Sequence, residues 1–259
     1  MSRVWETVVS VWVWLVLALC VVLWLPVMAV LRLVTAPFDR GRYAVGYVFR
    51  QIPVVTAALN PLWHFRRAGT VPPDPRRPYV VVSNHESFVD ILLISHLPWE
   101  MKWLTKAEMF RIPVLGWLQR LAGDIPVQRG FGPSAAEAIA RCREALANRV
   151  SVMIFPEGTR STRGEMLPFK DGAFRLAIDA GVPILPLAVY GTATALRKHD
   201  WRFTSATAVV QVLPPVEVTG LTVADVPALK ERVRRMISEA RASLAAAPGS
   251  QALPAATGS

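Results

Sequence analysis

From Thr7 to Leu31 the chain carries no charged residue, a run of 25 positions that includes Trp12, Trp14 and Trp24. About 20 apolar residues suffice to cross a bilayer as a helix, so this run is long enough. Pro26 kinks or ends such a helix, which leaves Val8 to Leu25 as a minimal span. Two arrangements stay open: one spanning helix, or a helical hairpin dipping into one leaflet. A cleavable signal peptide fits poorly, because the run is too long and Glu6 stands where a basic flank belongs. Arg32, Arg40, Arg42 and Arg50 outweigh Arg3. By the positive-inside rule the remainder of the chain is then cytoplasmic.

The other residues must build a core of their own. In 259 residues, 53% of them hydrophobic, there is room for one sizeable core, or for a core plus a membrane segment. The formal charge of +10 calls for a negative partner. The basic residues are spread singly and in pairs, such as Arg66-Arg67, Arg76-Arg77 and Arg234-Arg235, with no dense run of the nucleic-acid-arm type. Together with a mean hydropathy of +0.34 this favours a membrane surface over DNA. Cys20 and Cys142 are distant and lack metal-site spacing, so a reducing compartment is expected.

Residues 43–65 are apolar but interrupted by Arg50, Gln51, Pro53, Asn60 and Pro61. They read as one or two interfacial helices ending at Arg66-Arg67, with an ordinary core helix pair as the alternative. The proline-rich 71–78 marks a boundary. Beyond it, strand-like runs at 79–83, 124–128, 150–155, 184–189 and 206–213 alternate with helix-like segments at 89–96, 114–122, 134–148 and 172–180. This alternation predicts an α/β fold, a mostly parallel sheet flanked by helices, behind an N-terminal membrane-associated helical segment. An amphipathic helix is expected over 225–244. The domain reading is membrane-anchoring helices over 1–70, an α/β domain over 71–247 and a disordered tail over 248–259.

Two blocks carry chemistry. Asn84-His85-Glu86-Ser87-Phe88-Val89-Asp90 sits where a strand hands over to a helix, the place where parallel sheets bind ligands. A carboxylate can accept from one imidazole nitrogen, fix the tautomer and leave the other nitrogen free to take a proton. The spacing alone is weak, and a loop histidine capping its own helix is the bland alternative. The second block, Phe155-Pro156-Glu157-Gly158-Thr159-Arg160-Ser161, turns tightly at a strand's carboxyl end. Arg160 has the fork geometry to hold a phosphate, and Glu157 can orient a cation or hydroxyl, unless the two merely pair across the turn. His85-Glu86 lacks the second histidine of a zinc-binding helix, because position 89 is Val, so no metal is expected.

Together these blocks resemble the first and third motifs of the glycerophospholipid acyltransferases, the family that includes 1-acylglycerol-3-phosphate acyltransferase. Gly123-Asp124-Ile125-Pro126-Val127-Gln128-Arg129 is similar to the second motif, with Pro126 where the family usually has an aromatic residue. Val182-Pro183-Ile184-Leu185-Pro186-Leu187-Ala188 is similar to the fourth. The resemblance covers residues 79–191. It implies transfer of a fatty acyl group from a thioester, on coenzyme A or acyl carrier protein, to a lysolipid hydroxyl, with no other cofactor. His85 is then the general base and Asp90 its orienter. Glu157, Gly158, Thr159 and Arg160 belong to the acceptor-phosphate site, with Arg129 and Lys106 as further candidates. Asn84, Ser87 and Pro186 are supporting. Backbone N–H groups at the turn after Asn84 are candidates for the oxyanion.

The implied partners are membrane lipids, with lysophosphatidic acid as acceptor, and the acyl thioester; nucleic acid is not among them. The implied location is the cytoplasmic face of a membrane, a bacterial inner membrane. Another lysolipid acceptor, or a non-catalytic membrane-binding module, are the competing readings.

Overall fold

The computed structural model describes residues 3–128, 132–161, 165–196 and 200–246. At its centre is a seven-stranded sheet in the order β1-β7-β6-β2-β5-β3-β4. The strands are β1 Trp63–Gly69, β2 Val80–Ser83, β3 Met101–Lys106, β4 Ile125–Val127, β5 Ser151–Ile154, β6 Ile184–Tyr190 and β7 Ala206–Val212. Among the strands of the described residues only β6 and β7 pair antiparallel, so the expected mostly parallel α/β sheet is borne out.

Continuous apolar strands signal burial on both faces, and alternate residues of one strand supply each face. Val80 and Val82 of β2 face the core formed with α5 Gly132–Ala147, α6 Gly172–Ala180 and α7 Val226–Ala246. Val81 between them packs with Leu93 and Ile94 of α3 Val89–Ile94 on the opposite face. Two more helices, α1 Arg3–Thr35 and α2 Tyr43–Ala58, lie with α4 Leu115–Ala122 around Met28, Val45, Ile52 and Leu118.

Two segments depart from expectation. The helical reading of 43–65 holds through Ala58, but Trp63–Gly69 is an edge strand paired with β7. The sheet therefore begins upstream of residue 71, and α1 and α2 pack on it rather than standing apart. The second is β3, which carries Lys102 into the core. Its ammonium is held by Glu100 Oε1 and by the carbonyls of Arg42 and Ala122 at 2.7–2.9 Å. Pro186 sits in β6, where its missing N–H faces an interrupted stretch of the ladder; its carbonyl accepts from Leu213 N. That makes it a buried residue of the sheet. The tail 248–259 lies outside the described residues.

Candidate active site

β2 and β5 are adjacent and parallel, so the chain segments leaving their carboxyl ends are neighbours. His85 follows β2 and Phe155 follows β5; their rings stack with centroids 3.9 Å apart. His85 Nδ1 is 2.7 Å from Asp90 Oδ2. That oxygen also accepts from the backbone N–H of Glu86 at 2.7 Å and of Ser87 at 3.0 Å, and its partner Oδ1 accepts from the Thr192 hydroxyl. A carboxylate with these donors is an acceptor throughout, so the histidine proton belongs on Nδ1 and Nε2 carries a lone pair. The Asp90 side chain is fully buried, whereas that of His85 keeps 11% of its surface exposed. The imidazole is thus partly open to solvent and the carboxylate that holds it is not.

The rest of the loop is fixed by pairs of hydrogen bonds. Asn84 donates to Val189 O and accepts from Val189 N, which prolongs the β2–β6 ladder by a side chain. Ser87 accepts from Val89 N and donates to Leu196 O, so its hydroxyl shapes the start of α3. Glu86 is paired with Arg241 of α7 at 2.7 Å. Burial pushes the Glu86 carboxyl up from its ordinary value, and the Arg241 guanidinium pulls back against that.

Glu157 is committed to the backbone. One oxygen accepts from His85 N at 2.8 Å and the other from Leu167 N at 2.9 Å. Burial raises its carboxyl above the usual range, with those two N–H groups opposing. Ser161 N adds a bond to His85 O at 2.8 Å. Glu157 thus ties the second block to the first. It does not pair with Arg160, whose guanidinium is half-buried and has no ion-pair partner among the described residues. Gly158 turns in the left-handed region with φ 72°, and Lys170 lies over it. Thr159 is exposed beside it. Lys106 ends β3 two strands away and pairs with Glu108 at 3.2 Å on the surface. Arg129 lies outside the described residues.

One expectation is corrected. The turn after Asn84 offers no spare donors at residues 85–87, because Glu157 takes the N–H of His85 and Asp90 takes those of Glu86 and Ser87. Those groups hold the His85–Asp90 loop in place and are not free to face an oxyanion. Sequence reasoning also missed Thr192 and Arg241, and it quoted Phe155 without giving it a role. Thr192 stands just past the carboxyl end of β6, and a polar residue at such a strand end was the available signal. Arg241 had none, since nothing in an amphipathic helix tells which arginine turns inward.

Residues 64–190 match the acyltransferase family model. The human 1-acyl-sn-glycerol-3-phosphate acyltransferase alpha is 43% identical over 162 residues, 62% of this chain and 57% of that one. The human beta form is 38% identical over 169 residues, 62% of this chain and 61% of that one. The chain therefore spans less than two thirds of the length of these relatives. In fold it is similar to the crystal structure of the 1-acyl-sn-glycerophosphate acyltransferase of Thermotoga maritima. That match has a TM-score of 0.80 and 24% identity, and covers 96% of this chain and all of the other.

Proposed function

We propose that this chain, whose residues 64–190 carry an acyltransferase domain, is a membrane-associated O-acyltransferase. It moves a fatty acyl group from a thioester, on coenzyme A or acyl carrier protein, to the free hydroxyl of 1-acyl-glycerol-3-phosphate, giving phosphatidic acid. The observation that carries this reading is the 2.7 Å contact between His85 Nδ1 and Asp90 Oδ2, with Nε2 left over for chemistry.

An alcohol is a weak nucleophile until a base takes its proton as it attacks. His85 Nε2 accepts that proton, and the lysolipid oxygen adds to the thioester carbonyl. Collapse of the tetrahedral intermediate breaks the carbon–sulfur bond. The proton on Nε2 then passes to the departing sulfur, so the base is regenerated. Asp90 stabilises the imidazolium between these steps, as the acid of a serine-protease triad does, with the substrate's hydroxyl in place of an enzyme serine. No metal enters the scheme. Arg160, with Lys170 over neighbouring Gly158 and Lys106 across the strand ends, supplies positive charge for the acceptor phosphate. Glu157, Gly158 and Thr159 shape that turn.

The lysolipid resides in a membrane, and α1 supplies the means to reach it. Trp12, Leu15, Leu19, Leu23, Val27 and Val30 are exposed along one side of this helix. The opposite side packs on the globular body from Val9 and Val13 to Met28. A helix held along its length by the domain favours lying in one leaflet over crossing the bilayer. The domain then sits on the cytoplasmic face, where acyl thioesters are supplied, at a bacterial inner membrane.

Thiol release from acyl-CoA with a panel of lysolipid acceptors tests the activity. Acylation of 1-acyl-glycerol-3-phosphate by the wild type and loss of turnover in His85→Ala are expected. Near-wild-type turnover in His85→Ala would sink the mechanism.

A further inference from the structure

A cleft of about 680 Å³ runs along the free edge of β4, away from His85. It extends from Lys102 and Asp124 at the amino ends of the edge strands to Ala107 and Pro126 near their carboxyl ends. Six cationic side chains line it: Arg40, Arg42, Lys102, Arg111, Arg120 and Arg141. Two carboxylates line it as well, and Asp124 is already taken by Arg50 and the N–H of Trp103. Lys102 is paired with Glu100, and Arg141 with Glu137. The guanidiniums of Arg40, Arg42, Arg111 and Arg120 have no ion-pair partner among the described residues.

Such crowding costs free energy unless an anion enters. Burial first, and then Arg32 and Arg141, hold the Arg42 guanidinium below its ordinary value, with Glu144 opposing them. Arg42 also occupies the left-handed region with φ 52°, pinned by Lys102 Nζ on its carbonyl at 2.9 Å. Its own Nη1 reaches Arg120 O. A strained, pinned arginine in a concave cationic wall is a positioned ligand group.

We propose that this cleft binds the phosphates of the acyl donor, and specifically the adenosine 3′,5′-bisphosphate end of a coenzyme A thioester. The inference rests on the acyl-thioester chemistry proposed above. Several guanidiniums lining one concavity suit a compact polyphosphate, whereas an acidic carrier protein is convex and needs an open face. Position agrees. β2 and β4 are separated by β5 and β3, so the cleft lies roughly 14 Å from the strand that carries His85. The phosphates would sit at the edge of the sheet while the extended pantetheine arm brings the thioester across the strand ends.

The test is calorimetric titration of the full-length protein, in uncharged phosphatidylcholine nanodiscs, with coenzyme A and with adenosine 3′,5′-bisphosphate. The variant Arg40→Gln/Arg111→Gln/Arg120→Gln changes three exposed cleft residues. Arg175→Gln/Arg232→Gln/Arg235→Gln removes the same charge from the exposed faces of α6 and α7. The cleft variant should bind both ligands at least about tenfold more weakly, with the control unchanged. Its KM for acyl-CoA should rise while kcat at saturation is kept. If the triple variant does not fold, Arg111→Gln alone should weaken both ligands in the same direction. Wild-type affinity in the folded cleft variant overturns the proposal. So does a loss seen only as weaker flotation with phosphatidylglycerol vesicles, which would make the cleft a lipid-headgroup site. Binding is read without turnover, so failure of acyl transfer would count against the proposed function and leave the cleft to be judged by the titration.

Discussion

Asp90 is the residue through which the site is held together, and Thr192 is the contact to it that the motif does not contain. The Thr192 hydroxyl donates to Oδ1, leaving Oδ2 for the imidazole and two backbone N–H groups. A buried hydrogen bond to a charged group contributes about 1.5–3 kcal/mol. Thr192→Val keeps the volume and removes the donor, so kcat should fall about tenfold or more, with KM for the acceptor little changed. Thr192→Ser should recover most of the rate. A variant with unchanged kcat would reduce Thr192 to packing. Arg241 acts on the same loop through charge. Burial lifts the Glu86 carboxyl, Arg241 lowers it, and Asp90 lifts it again. Removing the guanidinium in Arg241→Met therefore raises the pH at which Glu86 takes up a proton. The acid limb of the kcat/KM profile should move to higher pH, and Arg241→Lys should largely restore it.

At the scale of elements, a buried ionic cluster joins α2 to the sheet. Arg50 of α2 pairs with Asp124 and lies 3.4 Å from Glu100, which in turn holds Lys102. Arg50 also donates to Met101 O. The helix approaches so closely that a Cβ on Gly46 would fall 2.0 Å from Glu100 Oε1. Breaking a buried pair by removing one partner typically costs about 3–5 kcal/mol, because the other charge stays behind. Arg50→Met should lower the denaturation midpoint accordingly, and Gly46→Ala should do so by overlap; a midpoint within experimental scatter of wild type for either would deny the clamp.

The same cluster explains what the sequence could and could not reveal. Val80 to Ser83, Ser151 to Ile154 and Ile184 to Tyr190 are legible because strands buried on both faces must be continuously apolar. β3 hides behind Lys102, a charge that reads as solvent-exposed until Glu100 and two carbonyls are found around it. β1 hides because an edge strand tolerates His64, Arg66 and Arg67, which break the apolar run. The spacing of His85 and Asp90 was weak alone, and the pair became legible only beside the second block, Phe155 to Ser161. Thr192 and Arg241 come from 102 and 155 positions away, and only the fold brings them in.

For the molecule as a whole, the proposed membrane association turns on how α1 is held, which is a matter of geometry. A helix of 33 residues is about 50 Å long, more than enough to cross the roughly 30 Å hydrocarbon layer. Yet Ser10 near one end accepts from Phe203 N, Trp14 donates to Trp201 O, and Trp24 farther along donates to Val48 O. A crossing helix would draw these parts of the globular body into lipid, along with buried charges such as Arg50. A helix lying in one leaflet keeps them at the interface and turns only the Leu15–Leu19–Leu23 side toward acyl chains. The two arrangements differ in where the helix ends emerge. Cys20 and Cys142 are both buried and can be replaced by alanine. Single cysteines are then introduced as Arg3→Cys or Phe38→Cys, and sealed vesicles are treated with a membrane-impermeant maleimide. Leaflet embedding predicts that both positions react from the face that carries the domain. Labelling of Arg3→Cys only after the vesicles are opened would require a span, and with it a rearrangement of every contact from Val9 to Trp24.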